Sequence, residues 1–224
     1  LGRRISKPGR TASPDVGSKY SDTPTMKKLI DNIKKIEHGF KHIIEAGDII
    51  LADKTQKHFD LALKFLSDDT YQVRMLATYL LGQISTDNPK ALTVLETKVA
   101  DDKDWRVQEM LAKAFDYYCN STGYEKNLPT IKKWLTDKNP NVKRAVIEGL
   151  RIWTSRPYFK ENPAIAIQLI SRHKSDDSEY LRKSVGNALR DIGKKHTDKV
   201  LDEISTWDLA NKKTAFTYKL AKGK

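Results

Sequence analysis

Glu109, Lys113 and Asp116 in one segment, Arg144, Glu148 and Arg151 in the next, and Lys183, Asn187 and Arg190 in a third occupy matching places, seven, eleven and fourteen residues after an Asp. On a helix this spacing puts each set on one face. If the segments stack side by side, Arg144, Arg151, Lys183 and Arg190 form a cationic wall, and the chemistry of such a wall is phosphate binding. Carboxylates stand in the same rows at Asp116, Glu148 and, beside an aromatic, Glu109. A carboxylate turned toward a polyanion costs affinity through repulsion and so needs a reason to be there. Trp105 lies four residues before Glu109, which sets an indole face beside that carboxylate on one turn of helix. Taken by itself, such a pair is ordinarily a solvated acid and a packing aromatic.

Other reactive residue types give less. His38 and His42 stand at i, i+4 with Glu45 near, yet no H-E-x-x-H pattern or Cys pair accompanies them, and no metal is expected. Cys119, the single cysteine, has no His placed to activate it and is expected to pack. Trp134, Trp153 and Trp207 lie in apolar helical contexts that suit a core, although Trp153, followed by TSRPYFKENP, could also reach the groove. No Gly-rich phosphate loop is present, so neither a nucleotide nor any other cofactor is expected.

The elements that must carry these residues are repeats. From about residue 57 the chain alternates a short helix, a turn containing Asp and a longer helix, as in KHFDLALKFLSDDTYQVRMLATYLLGQIS. Aligned on Asp68, Asp102, Asp137 and Asp176, the units step by 34, 35 and 39 residues. Each Asp is placed to cap the helix that follows. The long helices share an apolar stripe: Leu76, Ala77, Leu80 and Leu81; Met110, Leu111, Ala114 and Phe115; Ala145, Val146, Gly149 and Leu150; Ser184, Val185, Ala188 and Leu189. The predicted fold is therefore all-α, a right-handed superhelical solenoid of HEAT-like antiparallel helix pairs. The first unit of the face row reads Met75, Tyr79 and Gly82. One helical-repeat domain is expected over residues 25–224. Residues 1–24, rich in Gly, Ser, Pro and Arg, are expected to form a flexible basic arm on which Arg3, Arg4, Lys7 and Arg10 could touch phosphates.

Composition agrees with a polyanion partner. Lys and Arg number 41 against 29 Asp and Glu, a net charge of +12, with an isoelectric point near 9.5. A lone cysteine excludes a disulfide-stapled scaffold, no apolar run is long enough for a membrane span, and nothing resembling a signal segment begins the sequence. The expected setting is the cytoplasm.

Three segments in order, DKDWRVQEMLAKAFD, NPNVKRAVIEGLRIW and DDSEYLRKSVGNALRDIGKKH, resemble the HEAT-like alkylpurine DNA glycosylases of the AlkC and AlkD group, over about residues 55–205. The resemblance implies a catalytic centre at Trp105 and Glu109, with Arg144 near the DNA backbone. It implies a monofunctional enzyme that hydrolyses the N-glycosylic bond of cationic N-alkylated bases such as 3-methyladenine in damaged double-stranded DNA. It also implies a bacterial, nucleoid-associated activity. Lys113, Arg151, Lys183, Asn187 and Arg190 complete the expected DNA-binding set. The last segment, with its YLRKSVGNALRDI core, resembles the AlkC branch most closely, and one branch carries a second Trp where this chain has Asn187, a departure that leans the same way. A solenoid enclosing one duplex works as a monomer. Two other readings stay open: a non-enzymatic HEAT-repeat protein binding branched or damaged DNA, and a protein-interaction scaffold.

Overall fold

A computed structural model describes residues 24–223. Among them the regular elements are helices alone. The expected basic arm lies outside the described residues except for Pro24, which opens the first helix. The outer layer holds α1 (Pro24–Lys34), α3 (His58–Phe65), α5 (Pro89–Thr97), α7 (Leu128–Leu135), α10 (Pro163–Ser171) and α12 (Thr197–Ser205). Its partners are the mostly longer α2 (Lys41–Ala52), α4 (Tyr71–Ile84), α6 (Trp105–Thr122), α8 (Pro140–Trp153), α11 (Glu179–Gly193) and α13 (Lys212–Lys222). A short 3₁₀ turn at Val99–Asp101 follows α5, and α9 (Pro157–Glu161) is inserted between α8 and α10. Each of α2, α4, α6, α8, α11 and α13 packs on the next of that series, so they form one continuous inner layer. In stacked helix pairs, such a layer lines the binding side.

The apolar stripe read from the sequence is the core: all sixteen of its positions are buried. Trp134, Trp153 and Trp207 join it. Trp134 stacks on Phe115 with ring centroids 4.0 Å apart. Cys119 is also buried, and burial pushes its thiol well above the ordinary range, as packing rather than reactivity requires.

The repeat Asp does not cap its helix directly. Asp68, Asp102, Asp137 and Asp176 each accept a hydrogen bond from the backbone N–H two residues on, at 2.7–2.9 Å. The residue so braced is the cap, and Asp104, Asn139 and Ser178 then accept from the first turns of α6, α8 and α11. The same carboxylates tie one repeat to its neighbour. Arg74 Nε donates to Asp102 at 2.6 Å and Lys143 Nζ to Asp176 at 2.5 Å, both from the sixth place after the preceding repeat Asp. For Asp176, burial alone would raise the pKa, but hydrogen bonds from Lys143 and the Ser178 N–H, with the Lys143 charge, hold it below the usual carboxylate range.

Two positions of the expected face row are packing residues. Met75 is buried, and Gly82 lies so close to α6 that a Cβ there would meet Ala114 Cβ at 2.6 Å and its Cα at 2.8 Å. On α4 the row serves the helix crossing instead of a groove.

Gly82→Ala should therefore cost about 1–3 kcal/mol by forcing α4 and α6 apart, seen as a lower melting temperature; an unchanged melt would contradict so close a crossing. Asp176→Asn should cost about 1.5–3 kcal/mol at pH 7. A depressed folded pKa gives stability that is present above the unfolded value and lost as pH falls through the folded one. The variant's melting temperature should accordingly change less than the wild type's between pH 6 and pH 3.

Candidate nucleic-acid interface

Four of the expected site residues come together on the inner layer. Glu109 and Lys113 from α6 and Arg144 and Arg151 from α8 line an open cleft of about 290 Å³, with Ala112, Glu148 and Ile152. Neighbouring repeats place these side chains in register because each comes from the same helical phase after its repeat Asp.

The cleft is organised by ion pairs. Arg144 Nη2 donates to Glu109 Oε1 at 3.2 Å and lies 3.9 Å from Glu148 Oε1. Glu148 Oε2 accepts from Arg151 Nη1 at 3.2 Å, and Arg151 Nη2 reaches Asp191 of α11 at 2.5 Å. Asp191 also meets Lys194 at 2.8 Å and Arg190 at 4.0 Å. Burial alone would raise the Asp191 pKa, but Lys194, Arg151 and Arg190 together hold it below the ordinary carboxylate range. The expected cationic wall is thus an alternating ladder across α6, α8 and α11. Lys183, too, is paired, with Glu179 at 2.9 Å. Counting Lys113, five cations face three carboxylates along this ladder, so a cationic excess remains but no single-sign surface.

Arg144 is only 6% exposed, and its buried Nε has no hydrogen-bond partner. Its guanidinium lies over the Tyr180 ring, 4.6 Å from the centroid. Trp105, 53% exposed, stands one turn before Glu109 on α6, outside the residues lining the cleft, and the Arg106 guanidinium lies 4.9 Å from its ring centroid. Lys113 reaches over Phe40, at 4.9 Å. Asn187 is half-buried and Arg190 exposed on α11, and neither lines the cleft.

Asp116, in the same face row, turns elsewhere. It accepts from Trp153 Nε1 at 2.6 Å and from Arg156, fixing the chain that leads into α9. That contact holds the Trp153 indole in the core and away from the groove. Sequence reasoning missed Tyr180 and Asp191; the signal for Tyr180 was an aromatic in the first turn of a long helix, the same kind of place that Trp105 occupies.

The family profile for the DNA alkylation repair enzyme matches residues 42–221, most of the chain. The chain belongs to that family. Among solved structures, AlkD2 from Streptococcus mutans is 46% identical, with 88% of this chain and 96% of that one covered and a TM-score of 0.82. The alkylpurine DNA glycosylase AlkC of Pseudomonas fluorescens, solved bound to DNA containing an abasic site analog, is 20% identical, with 88% of this chain and 54% of that one covered and a TM-score of 0.65. The second likeness shows the fold. The uncharacterized protein YhaZ of Bacillus subtilis is 33% identical over 87 residues, 37% of this chain and 24% of that protein. That match spans about a quarter of the relative's length.

Within this DNA alkylation repair family, the lean toward AlkC is corrected. Identity is higher to AlkD2 than to AlkC over the same share of the chain, and one short segment with Asn187 weighs little against that. No described helix is long and apolar enough to cross a membrane.

A double-mutant cycle on Glu109→Gln and Arg144→Ala, read by urea denaturation, should give a coupling of about 0.5–1 kcal/mol, modest because Glu109 is partly exposed. Zero coupling would mean that the contact across α6 and α8 holds nothing in place.

Proposed function

We propose that the protein is a monofunctional DNA glycosylase acting on cationic N-alkylated bases, such as 3-methyladenine, in duplex DNA. The observation that carries this reading is Glu109. It is a carboxylate in an open cleft, aimed by a nearly buried guanidinium, one turn from an exposed indole. Membership of a DNA alkylation repair family supports it, as does the DNA carried by the AlkC neighbour.

The chemistry asked of such a site is modest, because a base alkylated on a ring nitrogen already carries positive charge. When its bond to C1′ breaks, the electron pair leaves with the base and neutralises it. The sugar is left with oxocarbenium character. A carboxylate beside C1′ stabilises that charge and orients the water that adds there, accepting its proton; the products are free base and an abasic site. Glu109 takes this part. Trp105 offers its face to the deoxyribose or the cationic base. Arg144 keeps the carboxylate pointed while Lys113, Arg151, Lys183 and Arg190 face the backbone, with Asn187 beside them. A phosphate arriving at Arg151 or Lys183 exchanges with an internal carboxylate, so each such contact replaces an ion pair already made. One chain suffices for one duplex, and the working location is the bacterial cytoplasm, on nucleoid DNA.

A second reading, binding of damaged or branched DNA without excision, is favoured by two observations. The ladder leaves few cations free to hold a substrate against the acid, and the face-row residue of α11 is Asn187, with that helix's exposed aromatic, Tyr180, about two turns away. The two readings part on one assay, incubation with N-methylated duplex DNA and chromatography of the released bases. The glycosylase reading expects base release by the wild type, a loss of about 100-fold or more in Glu109→Gln, and DNA affinity that is unchanged or tighter in that variant. Release unaffected by the substitution would sink the role of Glu109. No release by the wild type, with DNA still bound, would establish the second reading.

A further inference from the structure

Two large aromatic side chains at the beginnings of inner-layer helices are exposed. Trp105, in the first turn of α6, is 53% exposed, and Tyr180, in the first turn of α11, is 46% exposed. Large aromatics are costly to leave in water and ordinarily find cover. Each of these has an arginine on its ring: Arg106 at 4.9 Å from the Trp105 centroid and Arg144 at 4.6 Å from that of Tyr180. Arg106 is itself tied to Asp104 at 3.0 Å and packed over Tyr71 at 4.3 Å, while Arg144 is tied to Glu109 at 3.2 Å. Neither arginine is free to swing off its ring without breaking an ion pair. Both aromatics are therefore plates fixed from behind, with much of their surface in solvent.

Both plates share a helical face with the groove row. Trp105 is four residues before Glu109, and Tyr180 is three before Lys183 and seven before Asn187. A supported aromatic surface beside a cationic groove is the arrangement on which unpaired bases stack, without regard to sequence, because every base offers a π face. Duplex bases, stacked on one another, have no free face to give. We infer that Trp105 and Tyr180 form a two-plate platform for unpaired bases, so that the preferred partner of this face is duplex DNA interrupted by a short single-stranded gap. One helix, α8, separates α6 from α11, so the helix axes that carry the plates are ~16–20 Å apart, which a stacked strand covers in at most about five nucleotide steps. The inference rests on the reading that this face binds DNA, and not on the reading that it excises bases.

The test compares an intact duplex with one of the same sequence carrying a five-nucleotide gap, by fluorescence anisotropy at fixed salt. The wild type should bind the gapped form at least tenfold more tightly. Trp105→Ala and Tyr180→Ala should each remove most of that preference, Tyr180→Phe should keep it, and melting temperatures should move little because both side chains are half in solvent. Trp134, Trp153 and Trp207 are buried, so quenching of intrinsic fluorescence by gapped DNA should report Trp105. Equal affinity of the wild type for the two duplexes, or a preference that survives the double Ala variant, overturns the platform and leaves the excision reading standing. Failure to bind either duplex overturns the platform together with the nucleic-acid reading of the groove. Preference for gapped DNA without base release supports the platform and removes only the glycosylase.

Discussion

The contact between Arg144 and Glu109 joins two repeats across the inner layer, and the character of the groove depends on it. A guanidinium that is 6% exposed has little water to solvate it and depends on its carboxylate partners. Glu109 is its nearest carboxylate, so the need to neutralise Arg144 fixes where that acid points. A solvated glutamate would sample many rotamers. This one is held in the cleft, with an arginine behind it and open space before it.

The ladder that starts there changes what a basic protein of this kind presents. Net charge of +12 suggests a cationic surface, yet along α6, α8 and α11 each arginine shares a carboxylate with its neighbour. Such pairing lowers the field in the cleft and raises geometric definition. A polyanion entering it must replace internal carboxylates with its own phosphates.

Much of the fold was legible in the sequence because it depends on periodicity. All sixteen stripe positions are buried, since a 3.6-residue period read from apolar residues is the physical cause of their burial. The repeat Asp was legible as a helix-start signal, but its bond goes to the residue that caps, two places on, a distinction set by turn geometry. The groove was legible only as a helical phase. Phase places Glu109, Arg144 and Arg151 on one face. It does not say which residue on α11 reaches back to Arg151, and Asp191 does so from one position beyond the expected row. It also fails where a neighbour covers the face, as at Met75 and Gly82. Tyr180 escaped notice because its partner, Arg144, is distant in sequence.

On the proposed mechanism the Glu109 carboxylate faces bound DNA at the sugar it acts upon while Arg144 holds it from behind. A crystal structure with duplex DNA carrying an abasic-site analogue tests this most directly. It should place a Glu109 oxygen about 3–3.5 Å from the position of C1′, with the Arg144 contact kept and phosphates on Arg151 or Lys183. DNA lying on another face of the helical stack, or Glu109 remote from the backbone, would contradict the account.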